Sequence, residues 1–570
     1  MALSDLARDF RTAYLDHEEL TAQLRVWETA HPHLCRVQSL AVTPEGRDVW
    51  IAIIGLEPDR IRPAMWIDGN MHAAELAGSS VALAIAEDAL RVHLEPDTLD
   101  LSPAMLERLR DVLWYVCPRI SPDGGEAVLR TGRSVRSVPR DARVERGQPR
   151  WIHGDVDGDG LSLAMRVQDV GGELVEAREF PGLLVERTLD DEGPFYKVYP
   201  EGHIEHFDGK RVPSPFFLGD NPIDLNRNFP WSWAPGHEQI GAGAFATSEP
   251  EARGITEFAV AHPEIFAWVD FHTFGGVLIR PLGHAPDSKM DQEDLALYRQ
   301  VEAWMTEHTG YPTVSGHDEF LYEPDKPLRG DIADFAYNQR GALSYTVELW
   351  DLFARLGMPR PPKFAQLYER VTRADLVKLA WWDRDENEGK TFPPWRPFDH
   401  PQLGRVEIGG IDTRVGIWNP PLHELAAVCA SQAHVVLRVA TLAPRLKIGR
   451  VVRRPVGQGL TRVEVKLEND GYLGSYGVPS AKKLDFNEPC YATARAERCE
   501  LVDPGAAHQA LGHLDGWGHG LHTGLNLPAY PGTRGTTNAA WAVYLVRGTG
   551  TLDIRAGSCR AGFVTVRIEI

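Results

Sequence analysis

"PAMWIDG" (63–69) runs straight into "NMHAAELAG" (70–78) and then "SSVALAIAEDAL" (79–90). The first piece is an unbroken apolar run, the pattern of a strand buried on both faces. The last reads as a helix. Between them stand His72 and Glu75. Three residues apart on a helical turn, both side chains project to one side. At the C-terminal end of a strand in an open α/β sheet, that side is the crevice where ligands bind. The pair is half of a metal site and calls for a third ligand.

Working outward, similar apolar runs recur at 48–56, 112–120, 265–272 and 343–350, with helical patterns at Gly78–Val92, Glu249–Ala261 and Asp291–Thr309. Strands alternating with helices predict an α/β sheet covered on both faces. Residues 133–222, rich in Gly, Asp, Arg and Pro, interrupt the rhythm and read as an insertion that shapes access to a site. A charged, then Pro-rich stretch at 381–401 marks a boundary. Beyond it, short alternating strands with Gly-rich turns predict an all-β, sandwich-like domain. The expected division is a catalytic unit over 1–390, with its insertion, and an accessory unit over 400–570.

The bulk properties bound the partners. The chain has 570 residues and a formal net charge of −20. That balance argues against nucleic acid and against adhesion to an anionic membrane. Six scattered cysteines, with no Cys-x-x-Cys pair, read as buried free thiols. No secretory leader and no apolar run of about 18 residues is evident, so the expected location is the cytoplasm.

His272 ends the strand "FAWVDFH" and supplies the missing ligand. Two histidines and one carboxylate leave a fourth zinc position for water. Glu348, near the end of "SYTVELW", is a carboxylate in a buried strand. Burying it unpaired costs several kcal/mol, so it is the candidate base that takes a proton from water. In "DLNRNF" (224–229), Arg227 offers a planar fork for a substrate carboxylate and Asn226 a further hydrogen bond. Asp224 is placed to orient a ligating histidine.

The ordered series of His72-x-x-Glu75, "SPDGG" (121–125), "DLNRNF", His272 and "DIADFAYNQRGALSYTVEL" (331–349) resembles the zinc carboxypeptidases of the carboxypeptidase A type over residues 40–385. The resemblance implies a mixed β-sheet flanked by helices. It implies one Zn2+ held by His72, Glu75 and His272, a carboxylate clamp of Asn226 and Arg227, and Glu348 as base. An arginine that polarises the scissile carbonyl falls on Arg136 by counting, with Arg133 and Arg140 as alternatives. The residue that sets side-chain preference falls on Ala333, implying a neutral or apolar preference. The residue that closes over the substrate falls on Lys326, with Tyr322 nearby. Ala74 stands where the better-known members have an arginine.

Two further clusters carry weaker chemistry. Asp155, Asp157 and Asp159 begin like a Ca2+ loop, but Arg166 occupies the twelfth position where such loops need glutamate. His508, His513, His519 and His522 match no metal-ligand spacing and read as a solvated loop. The expected function is a zinc metallocarboxypeptidase that removes C-terminal residues. Alternatives are an amidohydrolase or deglutamylase acting on acylated amino acids or glutamyl side chains, and a non-catalytic binding module. Expected partners are a peptide or acylated amino-acid substrate and, through the C-terminal domain, a second copy of the chain.

Overall fold

The computed structural model describes residues 3–140, 147–215, 222–321, 323, 326–369, 371–522 and 533–570. Among them the largest sheet has eight strands, in the order Cys35–Val42, Asp48–Ile54, Leu113–Cys117, Ala64–Gly69, Ile265–Thr273, Leu343–Leu349, Val277–Arg280 and Thr313–Ser315. The three central pairings between Leu113–Cys117 and Leu343–Leu349 are parallel, while antiparallel pairs lie towards the edges, so the sheet is mixed. Its central strands are buried along their whole length. Alternate residues feed two cores. Met65, Ile67, Val269 and Phe271 meet the helices Ala77–Leu94, Gln292–Thr309 and Leu422–Ala440. Trp66 and Trp268 meet Pro250–Ala261 on the other face. This is the α/β architecture that the sequence predicts.

The helix begins at Ala77, so His72 and Glu75 lie in the preceding turn and not on the helix itself. Asn70 shapes that turn by donating from its side-chain amide to the carbonyls of His72 and Ala73. Strand and helix approach so closely here that a Cβ on Gly69 would lie 2.5 Å from the Gly78 carbonyl. Only glycine allows that contact.

The expected insertion folds as a small antiparallel sheet of Ala164–Gln168, Phe195–Pro200, Leu174–Glu176 and Leu184–Glu186. Two strands from beyond the peptidase-like region, Arg396–His400 and Gly404–Gly409, complete it. The helix Leu422–Ala440 packs into the main core. The accessory sheet therefore begins at Leu446 and not near residue 400. Strand-like texture reveals a strand, not the sheet it joins.

Among the described residues, the C-terminal unit is antiparallel β, with six strands in one hydrogen-bonded sheet. Its 20-residue strand Ala539–Ser558 pairs with Leu460–Asn469 early and with Gly562–Glu569 late. Val463, Val465, Tyr544, Val546, Leu552 and Ile554 fill its core. Arg560 joins this unit to the larger one. It is fully buried and donates to the carbonyls of Ile265 and Arg340 and to the Asn487 side chain. All six cysteines are free. Among the described residues, no helix is long and apolar enough to cross a membrane.

Candidate metal centre and its cavity

His72 leaves the end of one central strand and His272 lies near the end of its neighbour. Their Nδ1 atoms are 3.0 Å apart, and the Glu75 carboxylate lies 2.8 Å from each, one oxygen per ring. Donors about 2.0–2.2 Å from one tetrahedral centre sit roughly 3.4 Å from each other, so these residues fit a zinc ion. Both outward Nε2 atoms meet carboxylates: Asp224 at 3.1 Å from His72 and Asp270 at 2.7 Å from His272. Such partners fix ring orientation and tautomer. Asp224 is held in turn by Arg136 Nε at 2.9 Å. Behind Asp270, Asp68 accepts hydrogen bonds from the indoles of Trp66 and Trp268.

The electrostatics follow from this crowding. Burial would raise the Glu75 carboxyl, but His72 and His272 outweigh it and hold it well below the usual range. Burial would lower His272, but Asp270 and Glu75 raise it well above its ordinary value. Asp224 stays low despite burial because Arg136 and His72 face it. Glu348 is the exception. It stands directly opposite His272 in the strand register. Burial, then the Glu75 charge, push it up to about 8. Among the described residues its Oε2 has no hydrogen-bond partner.

A cavity of about 260 Å3 opens over His72, Glu75 and His272. Arg136, Asn226, Arg227, Ala333 and Glu348 all line it. Of the three candidate arginines, Arg136 reaches the cavity, whereas Arg140 is engaged by Glu249 and Glu251. The Arg227 guanidinium has no ion-pair partner among the described residues and donates only to the Asn226 carbonyl, at 2.7 Å. Asn226 is fixed by the Ile332 N–H, which donates to its Oδ1 at 2.9 Å. Lys326 is exposed and paired with Glu323; Tyr322 falls outside the described residues.

Counting along the sequence missed several lining residues. Asp331 borders the cavity with its Oδ2 unpartnered among the described residues, and burial, then Asp334, push it up to about 8. The pocket near Ala333 is therefore not purely apolar. Phe274, Phe320, Tyr368 and Trp418 supply aromatic walls. Asp331 stood within a quoted motif; Trp418, 70 positions past Glu348, carried no signal.

Among the described residues, one other group has convergent ligand atoms: Asp155, Asp157 and Asp159. Their carboxylates accept the N–H groups of Gly158, Asp159, Gly160 and Leu161, which builds a turn. Nothing beyond the acidic cluster supports calcium. The histidines of 508–522 are not one solvated loop. His508 lies in an edge strand and His519 is buried.

A family model described as zinc carboxypeptidase matches residues 20–153 and 218–370, about half of the chain, and a domain of unknown function matches 445–569. Carboxypeptidase B of Astacus astacus is 29% identical over 20% of this chain and 34% of its own. Mast cell carboxypeptidase A of Homo sapiens is 30% identical over 22% of this chain and 32% of its own. The chain thus spans about a third of the length of these curated relatives. A solved carboxypeptidase A from Helicoverpa armigera is 16% identical, with a TM-score of 0.42, covering 76% of this chain and 74% of that one. Thrombin activatable fibrinolysis inhibitor is 15% identical, with a TM-score of 0.45, over 76% and 75%. Apart from Trp418, every residue that lines the cavity falls within the segments that the family model covers, and the chain belongs to the zinc carboxypeptidase family.

Proposed function

We propose that this chain is a zinc-dependent hydrolase that cleaves the amide bond of a C-terminal residue carrying a free carboxylate. The observation that carries the reading is Glu348. It is a half-buried residue whose Oε2 is buried and, among the described residues, unpartnered, in the same cavity as His72, Glu75 and His272. Keeping such a group costs stability and is explained by use in proton transfer.

His72, Glu75 and His272 would hold the ion. What a bound zinc supplies is Lewis acidity, lowering the pKa of water towards about 7 and polarising a carbonyl. Glu348 takes a proton from water as its hydroxyl adds to the carbonyl carbon. The same carboxyl returns that proton to the departing nitrogen as the C–N bond breaks, giving a carboxylate and an amine. Arg227 and Asn226 orient the substrate carboxylate, and Arg136 faces the oxyanion. Preorganised charge at that point is usually the largest catalytic contribution.

The test is metal analysis with a hydrolysis panel of N-blocked dipeptides, N-acyl amino acids and glutamyl side-chain amides. Stoichiometric zinc and release of a free C-terminal amino acid are expected. Zinc binding without hydrolysis of any member would leave a binding module on the same scaffold.

A further inference from the structure

Residues 410–420 lie outside every segment that the family models match, yet they supply part of the cavity wall. The segment is fastened to the core at four places. Gly416 accepts from the Trp350 indole at 2.8 Å. Pro420 accepts from the Tyr14 hydroxyl at 2.7 Å. Arg414 donates to the Leu129 carbonyl at 3.2 Å. Asn419, fully buried, clasps the turn that carries Glu75. Its side chain donates to the Ala74 carbonyl at 2.7 Å and accepts from the Ala77 N–H at 2.9 Å.

That anchoring sets the neighbouring indole. Trp418 is half-buried, lines the cavity, and packs edge-on against Phe274 with ring centroids 5.2 Å apart. Phe274 follows the His272 strand, and its carbonyl accepts from the Tyr368 hydroxyl. Trp418 and Phe274 thus form an aromatic wall beside the Ala74–Glu75 turn. Arg227, Asp331 and Ala333 come from a different pair of segments, joined by the Asn226–Ile332 hydrogen bond.

We propose that Trp418 is a specificity-determining residue that closes the acyl side of the site. The inference rests on the hydrolase reading above, because it needs Arg227 to hold the leaving residue's carboxylate. With that end fixed, the group on the other side of the scissile carbonyl is directed onto Trp418 and Phe274. An aromatic wall favours a flat or apolar group. Its attachment to the ligand turn means that moving it aside would disturb the buried Asn419 hydrogen bonds, which are costly to leave unmade. The fitting substrate class is an amino acid bearing one compact aromatic or apolar acyl unit, and a longer peptide meets the wall.

The experiment uses the zinc-loaded full-length chain and one C-terminal residue, phenylalanine, carried by benzoyl, benzoyl-glycyl, benzoyl-diglycyl and benzoyl-triglycyl groups. kcat/KM is expected to fall at least tenfold from the shortest acyl part to the longest. Trp418→Ala should flatten that series by tenfold or more, and Trp418→Phe should largely preserve it, which separates the wall from a general folding defect. Hydrolysis with no length dependence in the parent, or an unchanged series in a folded Trp418→Ala, overturns the proposal alone. No hydrolysis of any member with zinc bound overturns the hydrolase reading and this inference with it.

Discussion

Glu348→Gln should do two opposite things. Burial, then Glu75, push the Glu348 carboxyl up to about 8, against about 4.3 in an unfolded chain. In the metal-free protein the native state therefore holds a proton that the unfolded chain releases between those values. Stability falls as pH rises through that window, because the native state binds more protons there. Each pH step costs about 1.4 kcal/mol, so the penalty is about 4 kcal/mol at pH 7 and about 1 kcal/mol at pH 5. Glutamine keeps the shape without the charge. Chelator-treated E348Q should gain little at pH 5 and a few kcal/mol at pH 8, read by urea unfolding. The zinc-loaded variant should lose roughly 10²- to 10⁴-fold in kcat, the usual contribution of a general base. A folded, zinc-loaded E348Q that keeps more than about a tenth of its turnover would refute the role. So would a variant less stable than the parent at pH 8, because the charge would then be structural.

Other perturbations probe the surroundings. Asp224→Asn removes the charge behind His72 and should weaken zinc binding roughly 10- to 100-fold in chelator competition; unchanged affinity would mean that Asp224 serves Arg136 alone. Arg227→Lys keeps the charge but loses the planar fork, so KM should rise about tenfold with kcat less affected. A change confined to kcat would place Arg227 at the reacting atoms and not at the carboxylate. Asp331, pushed up to about 8 by burial and then Asp334, is protonated at pH 7 and charged well above pH 8. The ratio of kcat/KM for lysine-terminated over leucine-terminated substrates should therefore rise from pH 6.5 to 9, and be flat in Asp331→Asn. A parallel rise in both proteins would clear Asp331 of any part in it.

What could be read in the sequence was the skeleton of the site. His72, Glu75 and His272 were marked by where they fall, at the ends of apolar runs that must be buried strands. Glu348 was marked by the cost of its position. Asp270 was readable but overlooked: two places before His272 on a strand, it shares that residue's face. Trp418 and Asn419 were beyond reach because tertiary packing alone brings them to the turn of His72 and Glu75. The boundary near 400 misled for a related reason. Strands at 396–409 have the right texture for the β-rich half, but hydrogen bonds to Ala164–Gln168 claim them for the insertion.

Arg560 bears on any attempt to cut this molecule in two. Its guanidinium reaches the first residue of the strand that carries His272 and the turn that leads into the strand of Glu348. Expressing residues 1–445 by themselves would strip those carbonyls of their donor and uncover the surface beneath. The two halves are separable on paper, but the smaller one acts as a keystone for the larger.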